Sequence, residues 1–394
     1  MKIVMLCDLY AESLQYQENL LAKYYIKHKH QVTVIASTFN SAFDYYNFSY
    51  DKSKPGSVTF DGQAKIIKLP YSLNILNRLR KFAGVLDILE EESPDLIFIH
   101  NVHLNCTDAI RYVKKNAGCR LIMDFHSDSS NSGRNWLSVK VLHGIIRRYY
   151  LKKILKHIDK VFVVTPGGFK FLYDCYGVPY EKMELLPLGS DTDLAKDVLK
   201  SNTRDRIRNG LGIPSEDIVI FSGGKLKQDK KVELLIDAFF KINNPSLHII
   251  LVGDSGEAEA NYKKALEKMV ANNVNVHFIG WVSGQEVYKY MSASDLAVFP
   301  ASQSVLWQQA ISIGLPLIVG QVGVQDSSYL NVNSNVITIP EHELTGDKIA
   351  DAIQGIIQST ESLGKFKSLA VAAIEHPYIN YDKIILQTLK VKSS

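Results

Sequence analysis

Cysteine is scarce in this chain, and its spacing excludes two common kinds of scaffold. Four cysteines occur among 394 residues, and no two of them form a CxxC motif. Structural zinc sites and disulfide frameworks both depend on closely or regularly spaced cysteines. The sequence therefore predicts neither kind of site, and a reducing cytoplasm is the expected location.

Long apolar runs and a strong charge of one sign are also missing. No segment reaches about 18 consecutive apolar residues, so no transmembrane helix is expected. The opening MKIVMLCDLY has one lysine and too short an apolar run for a signal peptide, and it predicts a first buried strand. With 45 basic and 41 acidic residues the net charge is only +4, and no nucleic-acid motif is present. A nucleic-acid partner is therefore not predicted.

The chain does have the composition and length of a two-domain globular protein. Hydrophobic residues make up 46% and charged residues 22% of it, which is typical of folded domains. We predict a first domain over residues 1–190 and a second over 191–376, with a linker at 186–199. A last helix, at about 377–394, is expected to return to the first domain.

The second half alternates buried strands with helices, which is typical of a doubly wound parallel α/β sheet. FSGGKLKQDKKVELLIDAF, HIILVGDSGE and VHFIGW each end a strand in a glycine turn. Ligands of such sheets bind beyond the carboxyl ends of the strands. Gly224, Lys225, Gly253, Gly280 and Ser302 all fall there.

The first half has the same alternation, so two doubly wound, Rossmann-like domains are expected. Its predicted helices include one over 74–91 and a basic one over about 136–157. A further helix is predicted over 167–176.

Several ordered motifs resemble those of GT-B glycosyltransferases, specifically the retaining group called family 4, or group 1. KHQVTVIAS resembles its second strand, LPLGSD its interdomain linker, and GGKLKQDKKVELLIDAF its GRLxxxKGxxxLIxAF motif. ILVGDS, the segment around FIGWVSGQEVYKYM, and QQAISIGLPLIV resemble the motifs that follow. The resemblance covers most of the chain and implies a GT-B fold, in which two Rossmann-like domains face each other across a cleft.

The resemblance implies a nucleoside-diphosphate sugar donor, such as a UDP- or GDP-sugar, held by the second domain without a further cofactor. It places Lys225 and Lys230 at the two cationic positions that neutralise the diphosphate, with Lys225 replacing the usual arginine. A glycine turn before a helix can also offer backbone N–H groups to phosphate. The alternative is a solvated lysine run. The full set of predicted donor-binding residues is Gly223, Gly224, Gly253, Gly280, Trp281, Ser302, Ser304, Val305, Gln308 and Gln309.

The segment after Pro300 departs from the family pattern. Members carry two glutamates here, whereas this chain has no acidic residue between Pro300 and Gly320. The ribose-gripping position corresponds to Gln309, or to Gln308 in a subfamily register. Three explanations stay open: a different pocket, a substituted but active enzyme, or a binding protein that has lost catalysis.

Acceptor and catalytic groups are expected in the first domain. His126 follows a strand and resembles the family's histidine that faces the donor sugar, although a structural histidine is the alternative. His100 and His103 follow another strand and are second candidates. The first loop lacks the family's glycines, so Tyr10, Tyr16 and Gln17 are predicted to line the acceptor cleft. Asp124, His126 and Asp128 alternate, but without a wider ligand cluster no metal site is predicted.

Charge suggests the kind of acceptor. Basic and large apolar residues alternate over 76–82 and 136–160, as suits the anionic face of a membrane, although an ordinary amphipathic helix is the alternative for the second segment. We therefore predict an enzyme at the inner face of the plasma membrane, elongating a glycan or polyprenyl-linked acceptor of a bacterial surface polysaccharide. A catalytically silent partner protein and a nucleotide-sugar epimerase are the other functions considered.

Overall fold

The computed structural model describes residues 1–12, 15–39, 54–75, 79–126, 147–271, 273–301 and 303–390. It divides the chain into two units. Unit 1 comprises Met1–Pro187 with Ile385–Ser394, and unit 2 comprises Leu188–Ile384.

Buried, β-rich segments separated by helices build the main sheet of unit 1. Its strands are β1 (Lys2–Leu6), β2 (Gln31–Ser37), β3 (Ser57–Asp61), β4 (Ala64–Leu69), β7 (Leu96–His100), β8 (Arg120–Phe125), β9 (Lys160–Val163) and β10 (Met183–Leu185). Their order is β10-β9-β8-β7-β1-β2-β4-β3, and every pair is parallel except β3 with β4. The order reverses between β1 and β7, so the loops after these two strands meet at a topological switch point.

Helices cover this sheet, and a separate hairpin lies between β4 and β7 in the sequence. The helices are α1 (Gln17–Lys27), α2 (Val85–Glu92), α3 (Cys106–Lys115), α4 (Arg148–Ile154) and α5 (Pro166–Phe171). The hairpin consists of β5 (Tyr71–Ile75) and β6 (Leu79–Phe82), which pair antiparallel.

Two sequence predictions of helices need correction, and a third is described only in part. The helix expected over 74–91 is wrong in its first half, because the rings of Tyr71 and Phe82 stack 5.1 Å apart across the hairpin and hold the strands together. Its second half is α2. The helix expected over 167–176 ends as α5 at Phe171 and continues as a wider, π-helical turn. Of the basic helix, residues 136–146 lie outside the described residues, and α4 is the described part.

Unit 2 has a second, wholly parallel sheet. Its strands are β11 (Ile218–Gly223), β12 (Leu247–Val252), β13 (Val276–Gly280), β14 (Leu296–Phe299), β15 (Leu317–Gln321) and β16 (Val336–Pro340). Their order is β13-β12-β11-β14-β15-β16, with the reversal between β11 and β14. This 3-2-1-4-5-6 order is that of a Rossmann sheet, and it also describes the parallel strands of unit 1 from β4 to β9.

The helices of unit 2 pack on both faces of this sheet. They are α6 (Thr192–Lys200), α7 (Thr203–Leu211), α8 (Val232–Ile242), α9 (Ala260–Val270), α10 (Gly284–Ser292), α11 (Leu306–Ser312), α12 (Gly346–Ile357) and α13 (Thr360–Ala373). The last helix, α14 (Tyr381–Leu389), begins in unit 2 and ends in unit 1. Alternate residues of β11 point into two separate cores, Val219 and Phe221 into one and Ile220 into the other. Both faces are therefore buried, as in other parallel sheets.

The chain passes between the two units near residue 188 and again near residue 385. The predicted linker over 186–199 is already helical from Thr192, the first residue of α6. The end of α14 belongs to unit 1, where the hydroxyls of Thr388 and Tyr25 lie 2.5 Å apart and are both buried. Among the described residues, no helix has the combined length and apolarity needed to cross a bilayer.

Candidate functional site

The carboxyl edge of the sheet in unit 2 is tied together by backbone hydrogen bonds between its loops. Gly224 N donates to Val252 O at 2.9 Å, and Gly253 N donates to Gly280 O at 2.8 Å. Gly253 has φ +136°, and a Cβ built on it would lie 2.0 Å from the carbonyl oxygen of Gly224. Only glycine permits this approach, so the predicted glycines Gly223, Gly224, Gly253 and Gly280 bring three loops together at the sheet edge.

Lys230 lies over this glycine platform. A methyl group added at Gly224 would lie 3.8 Å from Lys230 Nζ. Burial disfavours the charged ammonium and lowers the pKa of Lys230 to about 8. The Lys230 side chain is half-buried, and an anion beside it would stabilise its charged form.

Lys225, the other predicted cation, is more exposed. Its Nζ lies 3.7 Å from a carboxylate oxygen of Glu259, and its side chain is 48% exposed. Such an ion pair contributes little to stability, so Lys225 can move toward a ligand at low energetic cost. The partner Glu259 was not singled out from the sequence.

The two glutamines that stand where the family has glutamate are both buried in α11, and they face different neighbours. Gln308 Nε2 donates to Tyr329 Oη at 2.8 Å, and Tyr329 lies in the loop that follows β15 at the carboxyl edge. Gln309 lies against Tyr288, whose hydroxyl is within 2.9 Å of Ser190 Oγ in the interior. Gln308 therefore contacts a loop at the carboxyl edge of the sheet, whereas Gln309 faces the interior.

The other predicted donor residues have varied surroundings. Trp281 is 72% exposed after β13. Ser304 Oγ accepts a hydrogen bond from Leu306 N at 3.3 Å, and so supports the start of α11 next to Val305. Ser302 lies outside the described residues.

In unit 1, a buried carboxylate lies between two histidines. His100 and Asp124 are opposite each other in the pairing of β7 with β8, and His100 Nδ1 lies 2.8 Å from Asp124 Oδ2. His126 Nε2 lies 3.5 Å from the same oxygen. Burial by itself lowers the pKa of the His126 imidazole, but the Asp124 carboxylate outweighs burial and raises this pKa to about 9. His126 therefore carries a positive charge at neutral pH.

One residue near these histidines was missed by sequence reasoning. Glu18, in the first turn of α1, joins His100 and His126 in a group whose potential metal-ligating atoms all lie within 4.8 Å of one another. Asp124 was noticed only as one of an alternating set. The in-register pairing of two strand ends is the signal that would have linked Asp124 to His100.

The predicted acceptor residues are only partly available to a ligand. Tyr10 is buried and its hydroxyl donates to Asp61 at 2.8 Å, and its predicted place in an acceptor cleft stays a prediction. Gln17 is also buried, whereas Tyr16 is 40% exposed. His103 is half-buried after β7, and burial lowers its pKa.

The loop after β1 is held by ionic contacts. Asp8 accepts hydrogen bonds from Arg80 and from the hydroxyl of Tyr71, both of which belong to the β5–β6 hairpin. Arg80 also lies 5.6 Å from the centre of the Tyr71 ring. These contacts hold the loop at the position where the family usually has glycines and this chain has none.

Two family models match the chain in succession. One, described as Glycosyltransferase Family 4, matches residues 19–194, and the other, described as Glycosyl transferases group 1, matches residues 203–370. A lipopolysaccharide 1,2-N-acetylglucosaminetransferase of Salmonella typhimurium is 22% identical over 282 residues. The match covers 68% of this chain and 64% of that enzyme, which is less than two thirds of its length.

Solved structures share the fold over almost the whole chain. HepE of Anabaena in complex with UDP has a TM-score of 0.69 at 19% identity, covering 99% of this chain and 98% of HepE. The same protein was also solved with UDP-glucose, with a TM-score of 0.64 at 18% identity and 99% of both chains covered. WaaG, a glycosyltransferase involved in lipopolysaccharide biosynthesis, has a TM-score of 0.63 at 15% identity, with 98% of both chains covered.

Proposed function

We propose that this chain, which belongs to the group 1 glycosyltransferases with the GT-B fold, moves a sugar from a nucleoside-diphosphate sugar to a glycan or lipid-linked acceptor. The observation that carries the proposal is the half-buried side chain of Lys230, whose ammonium lies above the glycine turn at Gly224. A diphosphate there would restore the full charge of Lys230. The N–H groups of Gly224 and Gly253 already donate to backbone carbonyls at the sheet edge, so the charge of Lys230 is the main attraction that this turn offers.

The proposed reaction retains the configuration of the sugar. The acceptor hydroxyl attacks the anomeric carbon from the face that the diphosphate leaves, the bond from that carbon to the diphosphate breaks, and the acceptor proton passes to the leaving group. Lys230 and Lys225 stabilise the negative charge that develops on the diphosphate. The positively charged His126 donates a hydrogen bond to an oxygen of the donor or acceptor.

We propose a uridine nucleotide as the first donor to test. The support is that HepE was solved with UDP and with UDP-glucose. Gln308 is the residue we assign to the ribose, because it lies beside the carboxyl-edge loops. Its amide makes neutral hydrogen bonds where a carboxylate would make stronger, charge-assisted ones.

We also propose a polysaccharide or lipid-linked acceptor at the inner face of the plasma membrane. The naming of the Salmonella relative and of WaaG in lipopolysaccharide synthesis supports this class of acceptor. Helix α4 buries Leu151 and Ile154 while its exposed side presents Lys152 and Lys153. Such a basic face suits anionic lipid headgroups.

Thermal-shift measurements with nucleoside diphosphates and their sugars, followed by assays of diphosphate release, test the proposal, because stabilisation reports binding independently of catalysis. Lys230→Ala is expected to abolish both binding and release. Lys241→Ala removes an exposed lysine of α8 that pairs with Asp347, and it should change neither. Normal turnover by Lys230→Ala would overturn the diphosphate assignment, and binding without release even with lipid-linked acceptors would favour a silent binding protein.

A further inference from the structure

We infer that Glu18, His100 and His126 form a binding site for a divalent transition-metal ion such as Zn²⁺. The three side chains offer two imidazole nitrogens and one carboxylate oxygen, all within 4.8 Å of one another. This is the two-histidine, one-carboxylate ligand set of many zinc sites that keep a fourth position open. The inference reverses the expectation from sequence that no metal site is present.

His100 supplies the strongest argument for a ligand. Its side chain is 1% exposed, and its Nδ1 is occupied by Asp124 Oδ2 at 2.8 Å. Its Nε2 is buried and has no hydrogen-bond partner in the described part of the chain. A buried polar atom without a partner costs free energy, and a metal ion at Nε2 would remove this cost.

Asp124 gives His100 the tautomer that a ligand needs. Because a carboxylate only accepts hydrogen bonds, Nδ1 of His100 carries the proton and Nε2 has its lone pair free. Metal-binding histidines commonly donate their second ring nitrogen to a carboxylate in this way. Asp124 is fully buried, so this orientation is fixed before any ion arrives.

Glu18 and His126 complete the site from its accessible side. Both side chains are half-buried, so an ion can enter between them, and a water molecule can take the fourth position. Tetrahedral coordination with bonds of about 2.1 Å needs ligand atoms about 3.4 Å apart. Small rotations of these two partly exposed side chains would bring the three atoms to that separation.

The nitrogen ligands decide the class of ion. Mg²⁺ and Ca²⁺ prefer oxygen ligands, whereas imidazole suits Zn²⁺, Co²⁺ and related ions. An ion here would displace a proton from His126 and would remove the hydrogen-bond donor that the proposed function gives to the sugar substrates. If the proposed glycosyl transfer is correct, Zn²⁺ inhibits it. This inhibition rests on the proposed function, whereas metal binding itself does not.

Titration of the chelator-treated protein with Co²⁺, in the absence of nucleotide, tests the site directly. Four-coordinate Co²⁺ gives strong visible absorption that hexaaqua Co²⁺ lacks, and Zn²⁺ should displace it. Glu18→Gln and His126→Gln should each weaken Co²⁺ binding by at least about tenfold, the lower bound for loss of even an outer-shell partner. His157→Gln removes a half-buried imidazole of the same unit outside the cluster and should leave the titration unchanged.

Absence of the absorption band would overturn the inference, as would a band of equal strength in the Glu18→Gln and His126→Gln proteins. Glu18 is only half-buried in the first turn of α1, so Glu18→Gln is expected to fold and keeps the test decisive. A Co²⁺ site that forms without any effect of Zn²⁺ on transfer would support the metal site while contradicting the role proposed for His126.

Discussion

Raising the pH from about 7 to about 9 is expected to weaken UDP binding about tenfold, because the charged fraction of a lysine with pKa near 8 falls by that factor. The pKa of Lys230 is lowered to about 8 by burial above the glycine turn. Since UDP favours the charged form, binding should take up a proton at pH values near or above 8. The sign is therefore a loss of affinity with rising pH.

Isothermal titration calorimetry with UDP measures both effects. The affinity gives the pH dependence, and the heats in buffers of different ionisation enthalpy give the number of protons taken up. Lys230→Arg provides the decisive comparison, because an arginine stays charged throughout this range. The variant is expected to bind UDP with an affinity that does not change between the two pH values, whatever its absolute strength.

Lys241→Arg is the matched control, since Lys241 is an exposed lysine paired with Asp347 in the same unit. It should keep the wild-type pH dependence. An unchanged affinity of the wild type over this range would refute the reasoning. So would a loss of affinity in Lys230→Arg as large as that of the wild type, because the titrating group would then lie elsewhere.

Three substitutions, two of them with a matched control, test other parts of unit 2. Gln308→Glu should raise affinity for UDP-glucose about fivefold, since a charge-assisted hydrogen bond contributes about 1 kcal/mol more than a neutral one. Its control, Gln309→Glu, should only destabilise the interior. Equal UDP-glucose affinities of the two variants in calorimetric titrations would reject the assignment of Gln308 to the ribose. Gly253→Ala should lower the unfolding free energy by about 1–3 kcal/mol through backbone strain and should abolish UDP binding. Its control, Gly210→Ala, lies where no atom is near in α7 and should raise the unfolding free energy, measured in urea, by about 0.5–1 kcal/mol. Asp295→Asn should lower the unfolding free energy by about 3–5 kcal/mol at neutral pH, since it breaks a buried cluster of ion pairs. Burial raises the Asp295 pKa but its cationic partners lower it below the usual value, so the difference from wild type should shrink only as pH falls below about 4.

Sequence reasoning predicted the sheets well because their strands are buried on both faces and separated by helices. It failed for the hairpin of Tyr71–Ile75 and Leu79–Phe82. The reason is tertiary: Arg80 bonds to Asp8 and Phe82 stacks on Tyr71. Local propensity contains no information about partners that are distant in the sequence.

The candidate site shows the same division. The glycine turns could be predicted, because a strand, a glycine turn and a helix form a local pattern, whereas the role of Lys230 was assigned by resemblance and stays a prediction. The pairing of His100 with Asp124 depends on the register of two separate strands, and Glu18 joins them from a third element. A cluster assembled from three elements leaves no local signature in the sequence.

The two units share one strand order but differ in the loop after their first strand, and this difference argues for a division of roles. In unit 2 that loop offers the glycine turn at Gly224 and the ammonium of Lys230. In unit 1 it offers Asp8, whose carboxylate is held by Arg80 and Tyr71. A diphosphate would be attracted by the ammonium in the loop of unit 2. In the loop of unit 1 it would be repelled by the Asp8 carboxylate, because Arg80 is already paired with that carboxylate. We therefore expect the donor phosphates in unit 2, which leaves the carboxyl edge of unit 1 for the hydroxyl-rich acceptor.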